Sequence, residues 1–141
     1  ALDKDWGESA PKLDDGTPNS FVGADTFSAI WKGNFTFKTT GTYTFYAGAD
    51  DGVRLKIDGV TIIDSWIDTG YFERASTPYK FASAGPHLVE LQYYENGGAA
   101  RASLRWTFAP ASNAWIQTIG GDVHSNVSID MGGEPLKKFC Y

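Results

Sequence analysis

At 141 residues, with 42% hydrophobic and 21% charged side chains, the chain has the size and composition of one globular domain that buries a core without needing disulfides or a zinc knot. Its single cysteine excludes an internal disulfide framework, and 17 Asp and Glu against 12 Lys and Arg, a net charge of −5, argue against nucleic acid and anionic lipid as partners. No apolar run approaches the roughly 18 residues of a membrane span, and Ala1-Leu2-Asp3-Lys4 lacks the pattern of a signal peptide. The chain is therefore read as soluble, without membrane insertion, and as a processed or excised piece.

Alternation of apolar and polar residues runs through most of the chain. Residues 1–24, with Pro11, Pro18 and several Gly and Asp, read as an irregular arm anchored by Trp6 and Phe21. From Phe27 to Phe37 the odd positions are Phe27, Ala29, Trp31, Gly33, Phe35 and Phe37, a period of two that predicts a half-buried strand. Gly41 turns the chain into a second strand to Ala49, with Tyr43, Phe45 and Ala47 on one face. Val53, Leu55 and Ile57 form a third, and Asp58-Gly59 supplies the positive-φ pair of a two-residue hairpin before Val60–Ile63. His87, Val89, Leu91 and Tyr93 share a face of the next strand. A glycine-rich loop, 95–100, leads to a last long strand in which Ala102, Leu104, Trp106 and Phe108 face one way. Strands separated by turns, with no 3.6-residue periodicity, predict an all-β antiparallel sandwich or barrel over residues 1–109. Residues 110–141 read as a strand-like extension or linker to a further module: Trp115–Ile129 is broken by Gly120-Gly121, Gly132–Pro135 resembles a linker, and Cys140 is an exposed bystander.

The chemistry on offer is narrow. Two histidines, His87 and His124, and no nucleophile motif leave no triad, and the glycines after Glu95 open a strand rather than a phosphate-binding helix. Too few His and Cys are present for zinc. What remains is oxygen chemistry around Asp50-Asp51-Gly52. Neighbouring residues of a strand point to opposite faces, so two consecutive aspartates grip one ion only where the backbone bends, which Gly52 would help permit. Two carboxylates, the Asn96 amide oxygen and loop carbonyls would make part of the six-to-eight-oxygen cage of calcium, with positions left for two sugar hydroxyls. The same Asp-Asp-Gly is also an ordinary turn, and on the residues alone both readings stand.

The runs Phe35-Thr36-Phe37, Gly41-Thr42-Tyr43-Thr44-Phe45, Ala49-Asp50-Asp51-Gly52-Val53-Arg54-Leu55, Ile57-Asp58-Gly59, Ile63-Asp64-Ser65-Trp66 and Tyr93-Tyr94-Glu95-Asn96-Gly97-Gly98-Ala99 resemble, in order and spacing, the protective-antigen (PA fourteen) domain, from about Trp6 to Phe108. The resemblance implies a β-sandwich found in toxins, glycosidases and adhesins. It further implies, as in the lectin members, a cis-linked aspartate pair, Asp50 and Asp51, holding a calcium ion that binds sugar hydroxyls. Asn96 is the second-loop ligand, and Gly98 and Ala100 would give backbone carbonyls.

Other residues have plainer readings. Asp58 is assigned to its hairpin, Asp64 to a turn or sheet-end hydrogen bond, and Trp66 to burial against the sandwich. Tyr71 is a less favoured sugar-stacking residue, Tyr94 flanks the loop, and Glu95 either contacts ligand or pairs at the surface with Arg101 or Arg54. The expected function is a calcium-dependent, non-enzymatic carbohydrate-binding module of an extracellular or cell-surface protein, adhesive in character, with glycans as partners. The alternative is a structural or interaction module of a surface array, self-associating through the C-terminal extension. A third setting is an accessory domain of a glycosidase or toxin.

Overall fold

The computed structural model describes residues 1–13 and 15–112. The chain divides into two units, Ala1–Pro110 and Ala111–Tyr141. The strand-like tail expected at Trp115–Ile129, its proposed role in self-association, His124, the Gly132–Pro135 stretch and Cys140 lie outside the described residues.

Among the described residues the first unit is all strand: β1 (Leu2–Gly7), β2 (Phe27–Phe37), β3 (Gly41–Asp50), β4 (Gly52–Ile57), β5 (Val60–Ser65), β6 (Phe72–Ala75), β7 (Gly85–Glu95) and β8 (Ala100–Pro110). They pair antiparallel into two four-stranded sheets, ordered β1-β8-β3-β6 and β2-β7-β4-β5. The period-two pattern decides which side chains meet between the sheets. Tyr43, Phe45, Ala47 and Ala49 of β3, Val53, Leu55 and Ile57 of β4, Val89, Leu91 and Tyr93 of β7, and Ala100, Ala102 and Leu104 of β8 are all buried. Burying each large apolar side chain of this set stabilises the fold by about 1.5–3 kcal/mol before conformational entropy is counted. The β4–β5 hairpin turns as its sequence predicts, with φ of 49° at Asp58 and 82° at Gly59, the two positive angles of a type I′ turn.

Two expectations need correction, and one strand was not anticipated. The N-terminal arm is irregular only from Glu8 onward, because Leu2–Gly7 is a strand paired with β8 from Leu2↔Leu104 to Gly7↔Ala100. Its exposed Asp3, Lys4 and Asp5 hide the alternation, as suits an edge strand whose charges discourage pairing with another chain. Trp6 does anchor the arm, stacking on Tyr93 at 5.6 Å and on Trp31 at 6.2 Å and meeting Phe27 edge-on at 5.4 Å. Phe21 does not, being 96% exposed. Finally, β6 is a fourth strand of the first sheet, paired with β3 from Tyr46↔Ala75 to Ala49↔Phe72, in a stretch with no readable pattern.

The topology makes the two ends of the sandwich different. At one rim the β1–β2, β3–β4, β5–β6 and β7–β8 connections all cross from one sheet to the other, as the registers Gly7↔Ala100, Asp50↔Arg101, Gly52↔Tyr94, Val53↔Ser65 and Phe27↔Glu95 place them together. At the opposite rim lie the β4–β5 hairpin and the β6–β7 connection. The latter inserts Phe81, 2% exposed, flat against Phe37 with 4.3 Å between ring centroids. One end is plugged by aromatic rings, and the other gathers polar loops.

Candidate functional site: an acidic cluster at the crossover rim

Asp50 ends β3 in the first sheet and Gly52 begins β4 in the second, so Asp51 alone carries the chain across. The Asp50–Asp51 peptide is cis, the linkage that the resemblance implied for this pair. Gly52 has a different reason to be glycine than the one read from sequence. The ring of Tyr94, its neighbour in the β4–β7 register, occupies the space a Cβ would take.

Asp51 is 5% exposed and serves as a structural acceptor: Oδ1 receives the Thr69 N–H at 2.7 Å and Oδ2 the Asn96 N–H at 2.9 Å. These bonds tie the β5–β6 and β7–β8 connections to the β3–β4 link. Burial raises the pKa of Asp50 above the ordinary carboxylate range, the charge of Asp51 adds to it, and a hydrogen bond from the Tyr71 backbone opposes both.

Glu95 completes the cluster, and of its two expected placements, ligand contact or surface pairing with Arg101 or Arg54, its burial rules out the second. The inward register of β7 runs Val89, Leu91, Tyr93, Glu95, so the fourth inward position of an apolar face is a carboxylate, only 1% exposed. Its Oε2 accepts from the Tyr93 hydroxyl at 3.2 Å, while that hydroxyl also reaches the carbonyl of Asp50. Its Oε1 is buried and makes no hydrogen bond among the described residues. Burial pushes the Glu95 carboxyl up and the charges of Asp51 and Asp50 reinforce it, while the Tyr93 bond and the nearby Gly97 N–H act against it. The Tyr93 phenol is likewise driven up by burial and by Glu95.

One oxygen each of Asp50, Asp51 and Glu95 lie within 4.8 Å of one another. At that spacing each ionised pair repels by about 3.5 kcal/mol at an effective dielectric near 20. The ion pairs of the described residues take Arg54 to Asp64 at 2.8 Å and Arg101 to Asp3 at 3.0 Å, and none brings a cation to the three carboxylates. Three converging carboxylates, one of them on a side chain buried among apolar residues, fit a hard divalent cation of the calcium type.

Around this cluster Asn96 donates Nδ2 to Asp68 Oδ2 at 2.8 Å, and Asp68 Oδ1 accepts the Tyr94 hydroxyl at 2.6 Å. Burial and Asp68 together raise the Tyr94 phenol to about 12. Gly98, at a φ of 99°, donates its N–H to Asp25 Oδ1 at 3.1 Å, and Ala100 is the buried first residue of β8. The structure thus brings Asp50, Asp51 and Asn96 to one rim, with Gly98 and Ala100 in and just after the neighbouring loop.

Trp66 differs from its expected burial: it is 38% exposed, tilted against Tyr94 at 4.7 Å and covered by the Arg54 guanidinium at 4.6 Å. Tyr71, also 38% exposed, bonds Ser103 through its hydroxyl at 2.9 Å. Sequence reasoning did not assign Glu95 or Asp68 to the cluster. The inward parity of β7 signals the first, whereas Asp68 lies in an irregular connection with no pattern to announce it.

Comparison with known proteins agrees with this fold. The PA14 domain profile matches residues 9–113. The chain is 39% identical over 106 residues to the anti-sigma-I factor RsgI3 of Acetivibrio thermocellus, an alignment that covers 75% of this chain and 15% of that protein. Among solved structures it resembles an anti-sigma factor domain-containing protein, with a TM-score of 0.65 and 34% identity over 79% of this chain and 36% of the other. It also resembles the PA14 sugar-binding domain from an RTX adhesin, with a TM-score of 0.57 and 26% identity over 74% of this chain and 66% of the other. With the family profile matched across both sheets and all four connections of the acidic rim, the chain belongs to the PA14 domain family.

Proposed function

We propose that this PA14 domain is a calcium-dependent carbohydrate-binding module with a binding rather than catalytic role, borne by an extracellular or cell-surface protein. The observation that carries the reading is the buried Glu95 carboxylate, one oxygen of which converges with Asp50 and Asp51, with no side-chain cation paired to the three among the described residues. Asp50, Asp51, Glu95 and the Asn96 side chain would hold the ion, with backbone oxygens of Gly98 and Ala100 as further donors. Bound there, calcium supplies the missing positive charge and open coordination positions for two neighbouring hydroxyls of a sugar. The chain's own residues set the frame: Asp51 fastens two loops, Tyr93 braces Glu95 and the Asp50 carbonyl, and Tyr94 fills the space over Gly52. The likeness to a structure titled as a sugar-binding domain supports glycans as the ligand class.

The parent protein has two candidate settings, adhesin and anti-sigma factor, and the 39% identity to RsgI3 favours the second. In that setting the parent protein has a protein partner in addition to the glycan. The deciding experiment is calorimetric titration of calcium into chelator-treated protein, followed by a monosaccharide and oligosaccharide panel with and without the ion. Calcium uptake with calcium-dependent sugar binding is expected. Absence of calcium uptake overturns the reading and leaves a structural or protein-interaction module.

A further inference from the structure

Asp68 makes two hydrogen bonds, and the one to Asn96 has a direction. A carboxylate only accepts, so the Asn96 group facing Asp68 Oδ2 at 2.8 Å is the amide Nδ2, and the end left free is the oxygen Oδ1. The other oxygen of Asp68 is held by the Tyr94 hydroxyl at 2.6 Å, and the Asn96 backbone is itself held by Asp51. An asparagine without such a partner offers a cation its nitrogen or its oxygen by rotating about χ2. Here the rotation is fixed from outside.

We infer that Asp68 is a positioning residue, which locks the Asn96 amide so that it offers oxygen rather than nitrogen to a divalent cation at the Asp50–Asp51–Glu95 cluster. The inference rests on the calcium reading above and adds to it a residue from the β5–β6 connection. That connection also gives the Thr69 N–H to Asp51, so the segment 66–71 acts as the outer support of the site. Outer partners of this kind orient a ligand side chain without touching the ion.

The test is Asp68→Asn, which is nearly isosteric and removes the purely accepting partner. Two measurements are needed on the wild type and the variant: the Asn96 side-chain amide resonances in chelator-treated protein, and calcium affinity by calorimetry at low and high salt. The expected result is a loss of the hydrogen-bonded amide signature together with a calcium affinity about 10–100-fold weaker. The deficit should persist at high salt, where a mere loss of nearby charge is screened. The exchanged pair Asp68→Asn/Asn96→Asp reverses the polarity of the bond, keeps an oxygen for the ion and should restore most of the affinity.

Unchanged Asn96 resonances, or wild-type calcium affinity in Asp68→Asn, overturns the positioning role while leaving the calcium reading intact. A wild type that takes up no calcium overturns both.

Discussion

Replacing Glu95 by glutamine should make the calcium-free protein more stable and the calcium-bound protein less so. Glu95 is 1% exposed, with Oε1 unpartnered and carboxylate oxygens of Asp50 and Asp51 within 4.8 Å. Repulsion of about 3.5 kcal/mol per ionised pair is relieved in part by proton uptake, and an unsatisfied buried group costs about 1–3 kcal/mol. The net gain for Glu95→Gln without calcium is then about 1–3 kcal/mol. For a unit of this size each kcal/mol moves Tm by roughly 3–6 °C. Calcium at a hundred times its Kd should stabilise the wild type by about 2.7 kcal/mol, and this increment should shrink sharply in the variant. Differential scanning calorimetry at pH 7, in chelator and in excess calcium, reads both effects. A lower Tm of Glu95→Gln in chelator would refute the view that the carboxylate is an electrostatic burden, and an undiminished calcium increment would remove Glu95 from the site.

Asp50→Asn should abolish calcium-dependent sugar binding with little change in urea stability. Asp51→Ala should abolish it and also destabilise the fold by about 2–4 kcal/mol, because it strands the Thr69 and Asn96 N–H groups; equal urea midpoints for the two variants would sink this distinction. Gly52→Ala should cost about 1–3 kcal/mol through collision with the Tyr94 ring, measured by urea unfolding, and a neutral result would mean that the ring moves aside freely.

At the far rim His87 lies 2.5 Å from Asp58 Oδ2 through Nδ1 and 2.8 Å from the Ser83 carbonyl through Nε2, two acceptors that call for a doubly protonated ring. Its pKa is raised above 6.5 by the Asp58 hydrogen bond first, and that of Asp58 is lowered below 3.8 by His87 first. The His87 contribution to stability is therefore full below pH 6.5 and lost as pH rises through its raised value. The Asp58 contribution is full above 3.8 and lost as pH falls through its lowered value. An NMR titration should show His87 above its ordinary value in the wild type and lower in Asp58→Asn. His87→Ala should leave sugar affinity unchanged, since the pair sits at the opposite end of the sandwich; a loss of binding in that variant would move the site.

The central strands were legible because each has one face in the core and one in water, which imposes the period of two from Phe27 to Phe37 and from His87 to Tyr93. The same rule, carried one step further along β7, reaches Glu95, but a carboxylate at an inward position contradicts what burial ordinarily selects, and the surface was the natural assignment. Edge strand β1 was opaque because Asp3, Lys4 and Asp5 face water, and β6 because only four residues pair. That Asp50, Asp51 and Asn96 come together at one rim was readable from motif resemblance. Asp25 and Asp68 were not, because their relation to Gly98 and Asn96 exists only after four connections from distant parts of the chain meet at one rim.

That meeting of connections also governs how such a domain diverges. The segments 66–71 and 96–99 lie outside the ladders, so they are free to lengthen or be exchanged while the strand registers stay as they are, and each exchange redraws the walls around the carboxylates. The β3–β4 link has no such latitude, since it is one residue long and that residue is Asp51. A single inserted residue there would separate the Asp50 carboxylate, fixed at the end of β3, from that of Asp51. The outer loops can therefore change widely while the acidic pair is kept or lost as a whole.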